Sequence, residues 1–121
     1  MIADLTGKVA IISGSSRGIG RSCAVEMARA GANITINYFS HPEDGEETAS
    51  LVLAQGREAL VMRADVSDRE AVDRMVEATI KRFGHVDIAV CNSYYSKRQP
   101  FLEIDRRSSV SALEYDRAAG D

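Results

Sequence analysis

The chain has 121 residues, of which 45% are apolar and 27% charged, with a formal net charge of -3. That length buries one core without help from metal or disulfide, and the charge leaves no basic footprint for nucleic acid or an anionic membrane. No apolar run approaches the ~20 residues of a membrane helix, and the start Met-Ile-Ala-Asp lacks the basic and apolar regions of a signal peptide, so a cytoplasmic protein without membrane or nucleic-acid partners is expected.

Lys8 to Ser13 (KVAIIS) is a short continuous apolar run, the pattern of a strand buried on both faces. Ile19, Cys23 and Met27, with Ala24 and Ala28, then recur at helical spacing and predict a buried helix face within a helix from Gly18 to Ala30, stopped by Gly31. Asn33 to Tyr38 (NITINY) is β-branched and short, a second strand. From Pro42 the early Glu and Asp residues suit a helix N-terminus, Gly45 weakens its start and Gly56 ends it. Ala59 to Arg63 (ALVMR) follows as a third strand.

Ser67-Asp68-Arg69-Glu70 matches a capping box with Ser67 as the cap. The helix behind it presents Val72, Met75, Val76, Thr79, Ile80 and Phe83 on one face and ends at Gly84. Val86 to Cys91 (VDIAVC) completes the pattern as a fourth strand. The order βαβαβαβ predicts an α/β fold: part of a doubly wound, Rossmann-type parallel sheet in strand order 3-2-1-4, with helices on both faces. Strand four is then an edge as apolar as a central strand, and self-association through it is expected. Residues 1 to 96 form the expected nucleotide-binding half-domain. From Lys97 the pattern fails and a divergent or poorly ordered tail is expected.

Gly14, Gly18 and Gly20 sit where strand one turns into helix one, the place where a parallel sheet presents backbone amides and a helix N-terminus to a phosphate. Their spacing is G-x-x-x-G-x-G. Cys23 and Cys91 are far apart, without CxxC or histidine-rich neighbours, so buried thiols are expected and no metal site. His41 and His85 read as surface histidines, and the serines near Gly14 as turn residues.

The stretch Ser13-Gly14-Ser15-Ser16-Arg17-Gly18-Ile19-Gly20 resembles the T-G-x-x-x-G-I-G motif of the short-chain dehydrogenase/reductase family, with Ser13 in place of Thr. Ala64-Asp65-Val66 is similar to that family's Asp-Val pair near the adenine, and Asp87 to Asn92 looks like its D-I-L-V-N-N-A-G segment; the likeness is read over about residues 5 to 104. Where the family has N-N-A-G, this chain has Cys91-Asn92-Ser93-Tyr94. The resemblance implies a nicotinamide cofactor held by Gly14, Ser16, Arg17, Gly18, Ile19, Gly20, Asn37, Asp65, Val66 and Asn92. Strand two ends in Asn37 and Tyr38 where an NAD site usually has a carboxylate for the ribose 2′-hydroxyl, and Arg17 stands where some family members bind a 2′-phosphate, which favours NADP over NAD.

The family's chemistry uses a Tyr that exchanges the substrate proton and a Lys four residues later that lowers its pKa. Four residues after Tyr38, Tyr94, Tyr95 and Tyr115 come Pro42, Arg98, Gln99 and Ala119, so these residues hold no Tyr-x-x-x-Lys and no catalytic residue is assigned. The expected function is that of an NADP-dependent short-chain oxidoreductase, oxoacyl-reductase-like or glucose-dehydrogenase-like, represented by its cofactor-binding half and acting in full length on a small carbonyl or alcohol. The alternative is a non-catalytic nucleotide-binding or interaction module. Beyond Arg106-Arg107-Ser108-Ser109 the polar mixture is expected to be something other than the family's own continuation.

Overall fold

A computed structural model describes residues 3–92. The elements run β1 (Val9–Ile12), α1 (Gly18–Arg29), β2 (Asn33–Tyr38), α2 (Pro42–Ala54), β3 (Ala59–Arg63), α3 (Arg69–Phe83) and β4 (Ile88–Val90). The four strands make one parallel sheet in the order β3-β2-β1-β4. This is the doubly wound, Rossmann-type arrangement expected from the alternation of strands and helices. The expected boundary near residue 96, the tail from Lys97, and the Ser93-Tyr94 departure lie outside the described residues.

Each central strand sends alternate side chains to opposite layers. Ala10, Ile12, Ile34 and Ile36 meet Ala24 and Ala28 of α1 and Ala49 and Val52 of α2 on one face. Ile11 and Ala64 meet Ala71 and Met75 of α3 on the other. All four residues of β1 are buried, whereas β3 is only half-buried or exposed along its length, as an outer strand should be. Between the layers, Thr35 of β2 and Thr79 of α3 share a fully buried hydrogen bond of 2.8 Å, and Thr79 stands the same distance from the Met75 carbonyl.

Several local expectations meet a different outcome in the structure. The buried face of α1 is Gly20, Ala24 and Ala28; Ile19 is 81% exposed, because the buried stripe runs one residue further round the helix and the row of Ile19, Cys23 and Met27 lies along its edge. Likewise Ile80 of α3 is exposed and Ala71 is buried in its stead. The α3 cap is Asp68, whose carboxylate accepts the Glu70 N–H at 3.1 Å, because Ser67 is already turned back onto Asp65. α2 runs from Pro42 through Gly45, which is buried inside the helix where a Cβ would lie 3.0 Å from Val61 and 3.2 Å from Tyr38, so its bareness lets α2 settle on the sheet. Finally, the cysteines are not buried thiols: Cys23 is half-buried, and Cys91, just past β4 at the sheet's outer side, is exposed. β4 also spans only the middle of the expected Val86 to Cys91.

Candidate dinucleotide site

The carboxyl ends of β1, β2, β3 and β4 are sewn together by side chains, and that sewing shapes the turn between β1 and α1. Asn37, at the end of β2 and only 2% exposed, accepts the Gly14 N–H on Oδ1 at 2.9 Å and donates from Nδ2 to the Ala64 carbonyl at 3.0 Å. One amide thus bridges the ends of three strands. Ser15, fully buried, donates to the Ile12 carbonyl at 2.7 Å and accepts the Asn37 N–H at 3.0 Å. On the other side Asn92, following β4, donates from its backbone to Ser13 Oγ at 2.9 Å and from Nδ2 to the Gly14 carbonyl at 3.1 Å.

Within this frame the three glycines have two different reasons to be glycine. Gly14 and Gly18 adopt φ of 63° and 64°, the left-handed region where a Cβ is strained. Gly20 has ordinary helical backbone but no room: a Cβ there would run into the Gly14 carbonyl and lie 2.7 Å from Asn92 Nδ2. A Cβ on Gly18, by contrast, would meet nothing within 4 Å, so the space above the turn is open.

Opening onto that space is the N-terminus of α1. Arg17, the residue before it, is extended (φ -160°, ψ 173°), no side chain caps the helix, and its first turn carries no acid. The other helices are finished differently, α3 by the Asp68 cap and α2 by Glu43 and Asp44 in its first turn. The first N–H groups of a helix have no partners within it, and together with the helix dipole they favour an anion. An uncapped, acid-free N-terminus behind a glycine turn therefore fits a cofactor pyrophosphate.

The residues singled out in the sequence divide into three kinds. Arg17, Gly18 and Ile19 are exposed at the mouth of the turn, and Arg17 makes no side-chain bond among the described residues. Gly14, Gly20, Asn37 and Asn92 form the frame, with the buried Asn37 amide bonded at both its oxygen and its nitrogen to protein partners. Ser16 contributes its carbonyl, the target of Arg21 and Thr48. At the β3 end, Val66 is buried, and Asp65 is half-buried with Oδ1 accepting the Ser67 N–H at 3.0 Å and hydroxyl at 2.6 Å, which fixes its carboxylate beside the sheet end. Asp87 accepts the Val9 N–H at 2.9 Å and His85 lies 2.8 Å from the same carboxylate oxygen, at the opposite end of the strands from the glycine turn. Among the described residues no three His, Cys, Asp or Glu side chains gather as a metal site, and no helix is long and apolar enough to cross a membrane.

A parallel sheet of this order, with a glycine turn and open helix N-terminus at the end of its first strand, defines a dinucleotide-binding domain of the Rossmann class. The chain belongs to the short-chain dehydrogenase family: the model of that family matches residues 8–114, further than the expected limit near Ile104. It is 42% identical over 89 residues to the short chain dehydrogenase claC of Passalora fulva, covering 74% of this chain and 33% of that one. Glucose 1-dehydrogenase 2 of Bacillus subtilis is 36% identical over 96 residues, covering 79% of this chain and 37% of its own. Among solved structures, a short-chain type dehydrogenase/reductase from Mycobacterium marinum superposes with a TM-score of 0.83 at 30% identity, over 98% of this chain and 51% of that one. The chain thus spans about a third of these two curated relatives and half of that structure.

Proposed function

We propose that these residues are the cofactor-binding portion of an NADP(H)-dependent short-chain oxidoreductase, which moves hydride between the nicotinamide and a small alcohol or carbonyl. The single observation that carries the cofactor reading is the uncapped, acid-free N-terminus of α1 behind the Gly14–Gly20 turn. Here the pyrophosphate would lie against the N–H groups at Gly18 and Ile19, and the adenine beside Asp65, Val66 and Asn92.

The preference for the 2′-phosphate rests on charge. Position 37 holds a buried, neutral amide engaged with Gly14 and Ala64 and position 38 a tyrosine, so no carboxylate stands at the end of β2 to repel a phosphate or to accept from a ribose hydroxyl. Arg17 stands exposed on the glycine turn, and a guanidinium forks onto phosphate oxygens. Bound there, the cofactor supplies the hydride chemistry. The residues of this chain bind and orient it, and the proton-transferring Tyr-Lys pair must come from outside the 121 residues. Relatives named for glucose oxidation and short-chain dehydrogenation support the same reaction class.

Titration of the folded chain with NADPH and NADH, followed by nicotinamide fluorescence or calorimetry, tests this reading. Tighter binding of NADPH is expected, and no substrate-dependent change in nicotinamide absorbance with aldehydes, ketones or sugars. Equal affinity for the two cofactors removes the NADP assignment; no binding of either removes the cofactor reading. Sedimentation at tens of micromolar tests the self-association proposed for the β4 edge, and a clean monomer contradicts it.

A further inference from the structure

Two arginines flank the glycine turn, and they are used in opposite ways. The Arg17 side chain is exposed. Arg21, one helical turn later, is only 23% exposed and has its whole guanidinium engaged. Its Nε–H donates to the Ser16 carbonyl at 3.1 Å and Thr48 Oγ1 at 2.9 Å; Nη2 donates to the same Ser16 carbonyl at 2.6 Å and to the Asp44 carbonyl at 3.2 Å; Nη1 pairs with Glu47 at 3.4 Å. Thr48 Oγ1 itself lies 3.0 Å from the Ser16 oxygen. So large a set of donors on one backbone oxygen is a device for fixing a peptide plane.

The plane in question joins Ser16 to Arg17. In a trans peptide the C=O and N–H point in opposite directions. Holding the Ser16 oxygen inward, toward Arg21 and α2, therefore turns the Arg17 N–H outward, toward the open side of the turn where a phosphate would sit. It also fixes the Arg17 Cα, and with it the base from which that exposed guanidinium reaches.

Resting on the cofactor reading above, we infer that Arg21 is a positioning residue for the cofactor phosphates: it aims the Arg17 N–H and anchors the Arg17 side chain through the Ser16 carbonyl without touching the cofactor. Thr48 is its partner in this role, because it both accepts from Arg21 and can donate to the same oxygen. Glu47 is not, since its link to Arg21 is a single 3.4 Å ion pair from a carboxylate 64% exposed to solvent.

The test uses the whole chain and three variants, Arg21→Gln, Arg21→Lys and Glu47→Gln. The readouts are NADPH affinity, the Arg17 backbone amide signal in 15N-resolved NMR with its hydrogen-exchange rate, and the denaturant midpoint. Arg21→Gln should weaken NADPH at least tenfold and shift the Arg17 amide, with exchange of that amide accelerated at least tenfold. Arg21→Lys, which keeps the charge but gathers its donors on one nitrogen, should recover part of both, and Glu47→Gln should change neither. A merely structural role would lower affinity only through the folded fraction, which the denaturant curve fixes, and would leave the Arg17 amide of the folded protein where it was. Wild-type affinity and an unmoved Arg17 amide in folded Arg21→Gln overturn the inference; if that variant does not fold, the same result in Arg21→Lys does so. If the wild type binds no NADPH, the cofactor reading falls, and the Arg17 amide alone decides whether Arg21 sets that peptide plane.

Discussion

Asn92 Nδ2 donates to the Gly14 carbonyl at 3.1 Å, and the two atoms that make this bond are the ones a Cβ on Gly20 would strike. The bond that closes β4 onto the glycine turn and the packing of α1 onto that turn thus occupy one small space. Gly20→Ala should break the bond or push α1 outward, costing about 1–3 kcal/mol as overpacking and weakening cofactor binding with it. Gly18→Ala meets no atoms but must hold φ of 64°, an expected cost of about 1 kcal/mol with the Asn92 bond intact. The urea midpoint of Gly20→Ala should fall below that of Gly18→Ala, and a Gly20→Ala variant as stable as the wild type would show that the clash is relieved at no cost.

The buried pair between Thr35 and Thr79 takes its direction of donation from the Met75 carbonyl. If Thr79 gives its hydrogen to the Met75 carbonyl, 2.8 Å away, the bond between the hydroxyls is donated by Thr35. Thr79→Val then strands the Thr35 hydroxyl in a site with no exposure, at roughly 1–3 kcal/mol. Replacing both threonines by valine removes the orphan and should restore most of that loss. A double-mutant cycle by denaturant unfolding checks this, and simple additivity would contradict it.

The layer pattern was legible because it is written in local periodicity: short apolar strands, helices ended by glycine, and a glycine turn at the first crossover. What periodicity could not show was where the layers end. Ile19 stands at helical spacing from Cys23 and Met27, but that row runs along the edge of the buried stripe Gly20, Ala24 and Ala28, so Ile19 is exposed. Nor could spacing reveal the frame of the site, because its bonds join residues far apart in the chain: Asn37 reaches Gly14 and Ala64, and Arg21 reaches Thr48. Asn37 was singled out for the carboxylate it is not. Its three-strand bridge is a fact of the folded sheet. Ser67 lost its expected capping role for a local reason, since its hydroxyl is turned back to donate to Asp65 and Asp68 accepts the helix N–H in its place.

Arg17 gives the cofactor preference its sharpest test. Its guanidinium is exposed, so Arg17→Ala should leave the fold within about 0.5 kcal/mol of the wild type. Loss of a charged hydrogen bond to a 2′-phosphate should cost about 1.5–3 kcal/mol in NADPH affinity and little in NADH affinity. Parallel titrations of both cofactors measure the difference, and an equal loss for the two would assign Arg17 to the shared pyrophosphate instead.

Asn37→Asp separates the frame from the ligand by pH. The carboxylate keeps the Oδ1 acceptor for Gly14, and an ionised acceptor strengthens that bond, but it also directs an oxygen at the Ala64 carbonyl where the amide had donated at 3.0 Å. With the residue 2% exposed, burial of the charge costs several kcal/mol, more than the roughly 1.5–3 kcal/mol a charged hydrogen bond returns. The neutral acid, in contrast, can donate to Ala64 as the amide does. Burial and the facing carbonyl should therefore raise the folded-state pKa of the introduced Asp above its unfolded value of about 3.9. For a carboxyl raised in this way the variant is closest to the wild type below about pH 4, and its deficit grows as the pH rises from the unfolded toward the folded pKa, then levels off. Wild-type Asn37 does not titrate, so the difference between the two unfolding free energies across pH 4 to 8 isolates this group. A pH-independent difference would mean that the Asp turns away from Ala64 into solvent, and that the bridge across the three strand ends is dispensable.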